Sequence, residues 1–208
     1  MAVFLGYNER MIVTLTDTSR EDIISRAVAI LRDGGIIAYP TETFYGLGAR
    51  YDDPRALDRL YALKKRPAVM AMPLIIGSED QLNLLAASVS DSARALMRRF
   101  WPGPLTLIFT AASGLTGPVI AGGRVAVRIP GPSFALDLAR VAPFPITATS
   151  ANISSRPPAD TAAMVEDYFN GLLDLVVDGG RAPGGLPSTI VDVSAGGAVV
   201  LRPGAVTL

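Results

Sequence analysis

Short apolar runs, each ending at a cluster of turn and polar residues, alternate with amphipathic stretches along this chain. That alternation restricts the fold more than any other feature. The runs at 36–39, 74–76, 105–109, 125–129, 145–149, 175–177, 189–193 and 198–201 have the length of buried strands and are too short for helices. Between them, apolar residues recur at helical spacing. Ile23, Ile24, Ala27, Val28 and Leu31 share one face, opened by the capping-box pattern Thr18-Ser19-Arg20-Glu21 and closed by Gly34-Gly35. A second helix starts at Asp53-Pro54, with Pro at its first position, carries Leu57, Leu60, Tyr61 and Lys64 on one stripe, and is ended by Pro67. Further helices are expected at 79–87, 91–100, 134–140 and 161–169. Strands alternating with helices predict an α/β domain, and 208 residues suit a single core. Residues 1–10 are read as a loose N-terminal extension and 11–208 as the domain.

What is missing narrows the chemistry. The chain has neither cysteine nor histidine. Thiolate nucleophiles, disulfides, Ser-His-Asp catalysis and His-ligated zinc are therefore excluded. An enzyme built from these residues works with carboxylates, hydroxyls, amides, lysine, arginine and backbone donors. That favours reactions driven by positioning and charge stabilisation, phosphoryl and nucleotidyl transfer above all. Acidic and basic residues balance at 19 each, so bulk charge does not announce a nucleic-acid partner. No apolar run approaches the roughly 18–20 residues of a membrane span. Glu9 and Arg10 stand where a signal peptide would stay apolar, so a cytoplasmic protein without membrane attachment is expected.

Candidate site residues cluster at strand ends, where open α/β sheets commonly place their sites. Pro40-Thr41-Glu42-Thr43 follows the run at 36–39, and Tyr45-Gly46-Leu47-Gly48 closes that cluster. Its hydroxyls and carboxylate suit an amino acid or a metal-bound phosphate, and equally suit a turn that caps the next element. Lys64-Lys65-Arg66-Pro67 holds both lysines among 19 basic residues. A compact ammonium serves as a point charge among phosphate oxygens, although a basic cluster also complements a helix C-terminus. Thr147 to Asn152 supplies small hydroxyls and an amide, which hold phosphate oxygens without charge. Gly184-Gly185-Leu186-Pro187-Ser188-Thr189 enters another strand, and Arg128 and Arg202 stand at strand ends where a buried guanidinium needs an anion. No lysine follows a glycine and no Gly-x-Gly-x-x-Gly follows a strand, so neither a Walker loop nor a Rossmann fingerprint is present.

Taken in order, these pieces resemble one family. The stretch Gly34-Gly35-Ile36-Ile37-Ala38-Tyr39-Pro40-Thr41-Glu42-Thr43-Phe44-Tyr45-Gly46-Leu47-Gly48 is similar to the opening signature of the YrdC-like threonylcarbamoyl-AMP synthases. Lys64-Lys65-Arg66 matches the Lys-x-Arg motif, and Ser150-Ala151-Asn152 matches Ser-x-Asn. Trp101-Pro102-Gly103-Pro104-Leu105-Thr106, Val125 to Pro130, Pro187-Ser188-Thr189 and Leu201-Arg202-Pro203-Gly204 fall in the family's order. The resemblance implies a single domain with a twisted open mixed sheet, flanking helices and a large basic cleft. It implies that L-threonine, bicarbonate and ATP yield threonylcarbamoyl-AMP and pyrophosphate, with magnesium accompanying ATP and no protein metal ligands. A separate transferase complex would then modify tRNA, which is a candidate ligand of the basic cleft.

By the same analogy, Thr41, Arg128 and Ser188 would bind threonine. Lys64, Arg66, Ser150, Asn152 and Arg202 would bind ATP, with Lys64 and Arg66 as the catalytic pair. The resemblance has departures. Residues 67–72 run about two longer than the family habit, Gly77 stands near a frequent His, and Gly131-Pro132 replaces a frequent acidic-His pair. The rival readings are an RNA-binding module of the same fold and a paralogue acting on another carbamoyl-adenylate. The related domain of hydrogenase-maturation carbamoyltransferase is disfavoured by size and by the absence of cysteine.

Overall fold

The computed structural model describes residues 12–67 and 70–208. The expected extension at 1–10 lies outside the described residues. The chain begins with β1 (Ile12–Thr14), α1 (Arg20–Arg32), β2 (Ile37–Pro40), β3 (Tyr45–Gly48) and α2 (Pro54–Lys64). It continues through β4 (Leu74–Ile75), a 3-10 helix (Glu79–Leu84), α3 (Asp91–Phe100), β5 (Leu105–Thr110), β6 (Ile120–Ala121) and β7 (Arg124–Arg128). Then come α4 (Phe134–Val141), β8 (Ile146–Thr147), β9 (Thr149–Ser150), α5 (Ala162–Phe169), β10 (Leu175–Asp178), β11 (Thr189–Asp192) and β12 (Val199–Arg202).

The strands form two mixed sheets rather than one. The first runs β1-β10-β2-β3-β9, with β1, β10 and β2 mutually parallel and β3 antiparallel to both its neighbours. The second runs β12-β11-β5-β7-β4-β8, with β6 added on β7. The apolar run at 145–149 joins them. Thr147 pairs with Leu74 in the second sheet and Thr149 with Leu47 in the first. Ala148, between them, donates its N–H to the Pro73 carbonyl. One stretch that reads as a single strand is therefore two short ones, because a residue between two sheets spends its hydrogen bond on a loop. Thr147, fully buried, ties the joint by accepting the Ala49 N–H on its Oγ1 at 2.9 Å.

The helices follow their apolar faces. In α1, Ile23, Ile24, Ala27, Val28 and Leu31 are buried against Ile37, Leu175 and α4. The expected capping box at its start does not form. Ser19 precedes the helix without a side-chain cap, and its Oγ lies 2.8 Å from Thr16 Oγ1 and accepts the Thr16 N–H at 3.1 Å. The hydroxyl is spent on the preceding turn, a common competition for Ser and Thr. Asp53 does cap α2, its Oδ1 accepting from the Arg55 and Ala56 N–H groups. The helix stops at Lys64, because Lys65 turns left-handed at φ 50°, ahead of Pro67. The expected helix at 79–87 is a shorter 3-10 helix.

Besides β1, two strands lie outside the apolar runs. β6 has only two residues, and β3 contains Gly46 and Gly48, which disfavour a strand. The Tyr39 ring explains those glycines. A Cβ on Gly48 would lie 2.8 Å from both Tyr39 Cε1 and Ile146 Cγ2, and one on Gly46 3.3 Å from Tyr39 Cε2, so the glycines make room for that ring against β3.

Gly77 has an equally local cause. A Cβ there would lie 2.3 Å from the Ala139 carbonyl oxygen and 2.5 Å from the Arg140 Cα, both backbone atoms of α4. We expect Gly77→Ala to destabilise the fold by about 1–3 kcal/mol, the usual cost of overpacking. Urea unfolding would measure it, and an unchanged midpoint would mean that α4 yields freely.

Candidate active site

Strand ends and one helix end converge on a cleft of about 500 Å³. Thr41 comes from the end of β2, Arg128 from the end of β7 and Arg202 from the end of β12. Ser188 sits just before β11, Ser150 ends β9, and Arg66 follows α2. These six candidates, spread from residue 41 to 202, line one cavity. Arg124 lines it too, so the wall carries four arginines, and no Asp or Glu stands among the described lining residues. Lys64 and Asn152 stand behind that wall.

Lys64 occupies an unusual place. It is 2 % exposed, the one charged residue in the fully buried set. Its Nζ donates to the Ser150 carbonyl at 2.5 Å, the Asn152 carbonyl at 2.9 Å and Asn152 Oδ1 at 3.2 Å. Its own carbonyl accepts the Ser154 N–H at 2.9 Å. Helix α2 therefore grips the loop at 150–154 from backbone and side chain together. In this structure the Lys64 ammonium is directed at the loop, and the loop carries Ser150 into the cleft. Lys65, by contrast, is exposed.

The loop is braced further. Asn152 Oδ1 accepts from Ser150 Oγ at 2.6 Å, while Nδ2 donates to the Ile153 and Arg156 carbonyls. Ala151 N–H donates to the Tyr45 carbonyl, which fastens the loop to β3. Asn152 thus shapes the loop, and Ser150 is the side of the Ser-x-Asn motif that reaches the cleft.

Arg66 folds the segment after it. Nε donates to the Met70 carbonyl at 3.1 Å and Nη2 to the Ala71 carbonyl at 3.0 Å. The Tyr61 hydroxyl lies 2.7 Å from the Met70 carbonyl and 2.8 Å from that of Pro118. Met70 and Ala71 consequently form part of the cleft wall.

Across the cleft, Arg202 donates to the Ser188 carbonyl at 2.7 Å and to Ser188 Oγ at 3.2 Å, both through Nη2. Ser188 Oγ is 2.9 Å from Thr106 Oγ1. Burial, then the neighbouring Arg128 charge, lowers the Arg202 pKa. Arg128 Nη1 donates to Glu42 Oε1 at 2.5 Å, and both side chains are largely buried. Thr41 is fixed by donating Oγ1–H to the Phe44 carbonyl at 2.7 Å and accepting the Thr43 N–H at 3.0 Å. Thr106 and Arg124 were not singled out from sequence. Thr106 is the one polar residue within the apolar run at 105–109, which is a readable signal; Arg124 has none.

This arrangement suits a polyanion beside a small zwitterion. Guanidiniums and hydroxyls would take phosphate and carboxylate oxygens, with Arg124 and Arg128 each already paired to a carboxylate, Asp192 and Glu42. Among the described residues, no group of three or more His, Cys, Asp or Glu side chains is placed to hold a metal ion. No described helix is long and apolar enough to cross a membrane.

Comparison with known proteins agrees with the geometry. The family model Sua5/YciO/YrdC, described as "Telomere recombination", matches residues 29–204. The chain is 40% identical over 200 residues to a protein named threonylcarbamoyl-AMP synthase from Pyrococcus abyssi, covering 95% of this chain and 58% of that one. It is 42% identical over 183 residues to a protein of the same name from Thiobacillus denitrificans, covering 87% of this chain and 96% of that one. A crystal structure of P. abyssi Sua5 complexed with L-threonine superposes with a TM-score of 0.86 at 38% identity, over 93% of this chain and 57% of that one. The chain thus spans less than two thirds of the Pyrococcus relative.

Burial, then the nearby Arg66 charge, lowers the Lys64 pKa from 10.5 to about 7. Between those values the unfolded chain holds a proton that the folded one has lost, so stability contributed by Lys64 rises with pH from about 7 to about 10. Both forms still grip the loop, because the neutral amine keeps two donors. We expect wild-type stability relative to Lys64→Met to increase across that window, as measured by urea unfolding at several pH values. A flat difference would mean that the three oxygens keep the ammonium charged throughout.

Proposed function

We propose that this chain, which belongs to the Sua5/YciO/YrdC family, makes threonylcarbamoyl-AMP and pyrophosphate from L-threonine, bicarbonate and ATP. One observation carries the reading: Thr41, Arg66, Arg128, Ser150, Ser188 and Arg202, far apart in sequence, line a single cleft rich in arginine. The names of the relatives and the threonine-bound structure at 38% identity support it.

The site divides by charge and size. Arg128, with Thr41 and Ser188 beside it, takes the threonine carboxylate. The amine adds to the bicarbonate carbon and water leaves, giving a carbamate whose oxygen attacks the α-phosphorus as pyrophosphate departs. Arg66, Arg202 and Ser150 hold phosphate oxygens and stabilise the charge that gathers on the leaving group. Lys64 serves the same step by fixing Ser150 and Asn152, and its catalytic contribution passes through that loop. Two anions that repel each other in water are held in line, so positioning supplies much of the rate. Magnesium enters with ATP, held by phosphates and water rather than by carboxylates of this chain. The product then passes to a separate transferase for tRNA modification, and the arginine-lined cleft is the candidate tRNA surface.

Pyrophosphate release measured with each component omitted tests the proposal. We expect turnover only with ATP, L-threonine and bicarbonate together. Turnover that ignores threonine would indicate a paralogue with another substrate, and tight RNA binding without turnover would indicate a binding module. Lys64→Ala should lower turnover at least tenfold, about 1.4 kcal/mol of transition-state stabilisation, and Lys65→Ala should change it little. Equal losses in the two variants would contradict the assignment.

A further inference from the structure

The Arg128–Glu42 pair has more built around it than a salt bridge needs. Glu42 sits in a turn made rigid by its neighbours, with Thr41 Oγ1 bonded to the Phe44 carbonyl and to the Thr43 N–H. Its Oε1 accepts from Arg128 Nη1 at 2.5 Å, with the two side chains 16% and 11% exposed. Its Oε2 is buried without a hydrogen-bond partner in the described structure. Gly131 leaves room for this carboxylate: a Cβ there would stand 3.3 Å from Glu42 Cγ. Arg128 lines the cleft, whereas Glu42 does not.

Those facts set a direction. A carboxylate behind the guanidinium engages Nη1 and leaves the remaining N–H groups for the cleft. It also places a negative charge next to a cleft wall that carries Arg202 as well as Arg128. A buried ion pair contributes little stability on average, because desolvation offsets attraction, so its retention here calls for a role in placement.

We propose that Glu42 is a positioning residue, holding Arg128 from behind so that its free N–H edge is preset for the substrate carboxylate. This rests on the threonine reading above. The opposite account treats Glu42 as a stand-in that occupies Arg128 until substrate displaces it. The two accounts differ in sign. Preset geometry predicts weaker threonine binding when Glu42 is changed, whereas displacement predicts tighter binding.

Threonine dissociation constants from calorimetry, with KM for threonine and ATP and kcat from pyrophosphate release, decide between them in wild type, Glu42→Gln and Glu42→Ala. Glu42→Gln keeps the shape and one acceptor, so it tests the charge even where Glu42→Ala does not fold. We expect Glu42→Gln to weaken threonine binding at least tenfold, Glu42→Ala to weaken it further, and KM for ATP to stay within about twofold. Unchanged or tighter threonine binding overturns the proposal, and so does an equal rise in both KM values, which marks a general structural loss. Wild-type enzyme that neither binds threonine nor turns over would instead overturn the functional reading, so the two failures are separable.

Discussion

Three hydrogen bonds from one buried ammonium organise this site. Lys64 Nζ ties the end of α2 to two carbonyls and one amide oxygen of the loop that follows β9. Without that donor, two backbone acceptors and a side-chain oxygen lose their partner in the interior, at roughly 1–3 kcal/mol for each buried group left unsatisfied. On this side of the cleft Ser150 lines the wall, Asn152 braces the turn, and Arg66, two residues beyond Lys64, folds residues 70 and 71 against the opening. An arginine would not replace this lysine, because a planar fork does not converge on three oxygens within one small pocket.

The second half of the site is built from arginines, each with its own partner. Arg128 rests on Glu42 and Arg202 on Ser188, and Ser188 in turn touches Thr106. Arg128, Arg202, Ser188 and Thr106 stand at strand ends of the second sheet or just outside them, whereas Glu42 follows β2 of the first. The first sheet contributes Thr41 and Ser150. The cleft therefore lies where the two sheets meet, and the split run at 145–149 is the structural cause of its position. The junction itself is held by backbone groups and Thr147.

Much of the fold was legible beforehand because local signals agreed with tertiary burial. Asp53-Pro54 announced α2, and the stripe ending at Lys64 correctly marked that residue as buried. The buried face of α1 was visible residue by residue. The misses share a cause: their determinants are long-range. Gly46 and Gly48 make β3 possible only because Tyr39 lies across them, and Ala148 interrupts a strand only because Pro73 offers a carbonyl. The capping box failed because the helix caps at Ser19, one residue later than the Thr18–Glu21 spacing needs, with both hydroxyls turned to Thr16, outside the motif. At the site, the motifs named which side chains gather, but the partners of Lys64 are largely backbone carbonyls, whose directions no residue pattern encodes.

The central claim is that Lys64 acts by holding the loop at 150–154. Hydrogen exchange of the Ala151, Asn152 and Ser154 amides in Lys64→Ala, compared with wild type, tests it most directly. The account predicts faster exchange at those amides, with the amides of α1 and β10 unchanged. Unaltered exchange in the loop would contradict it, and would return Lys64 to a role in direct contact with the nucleotide.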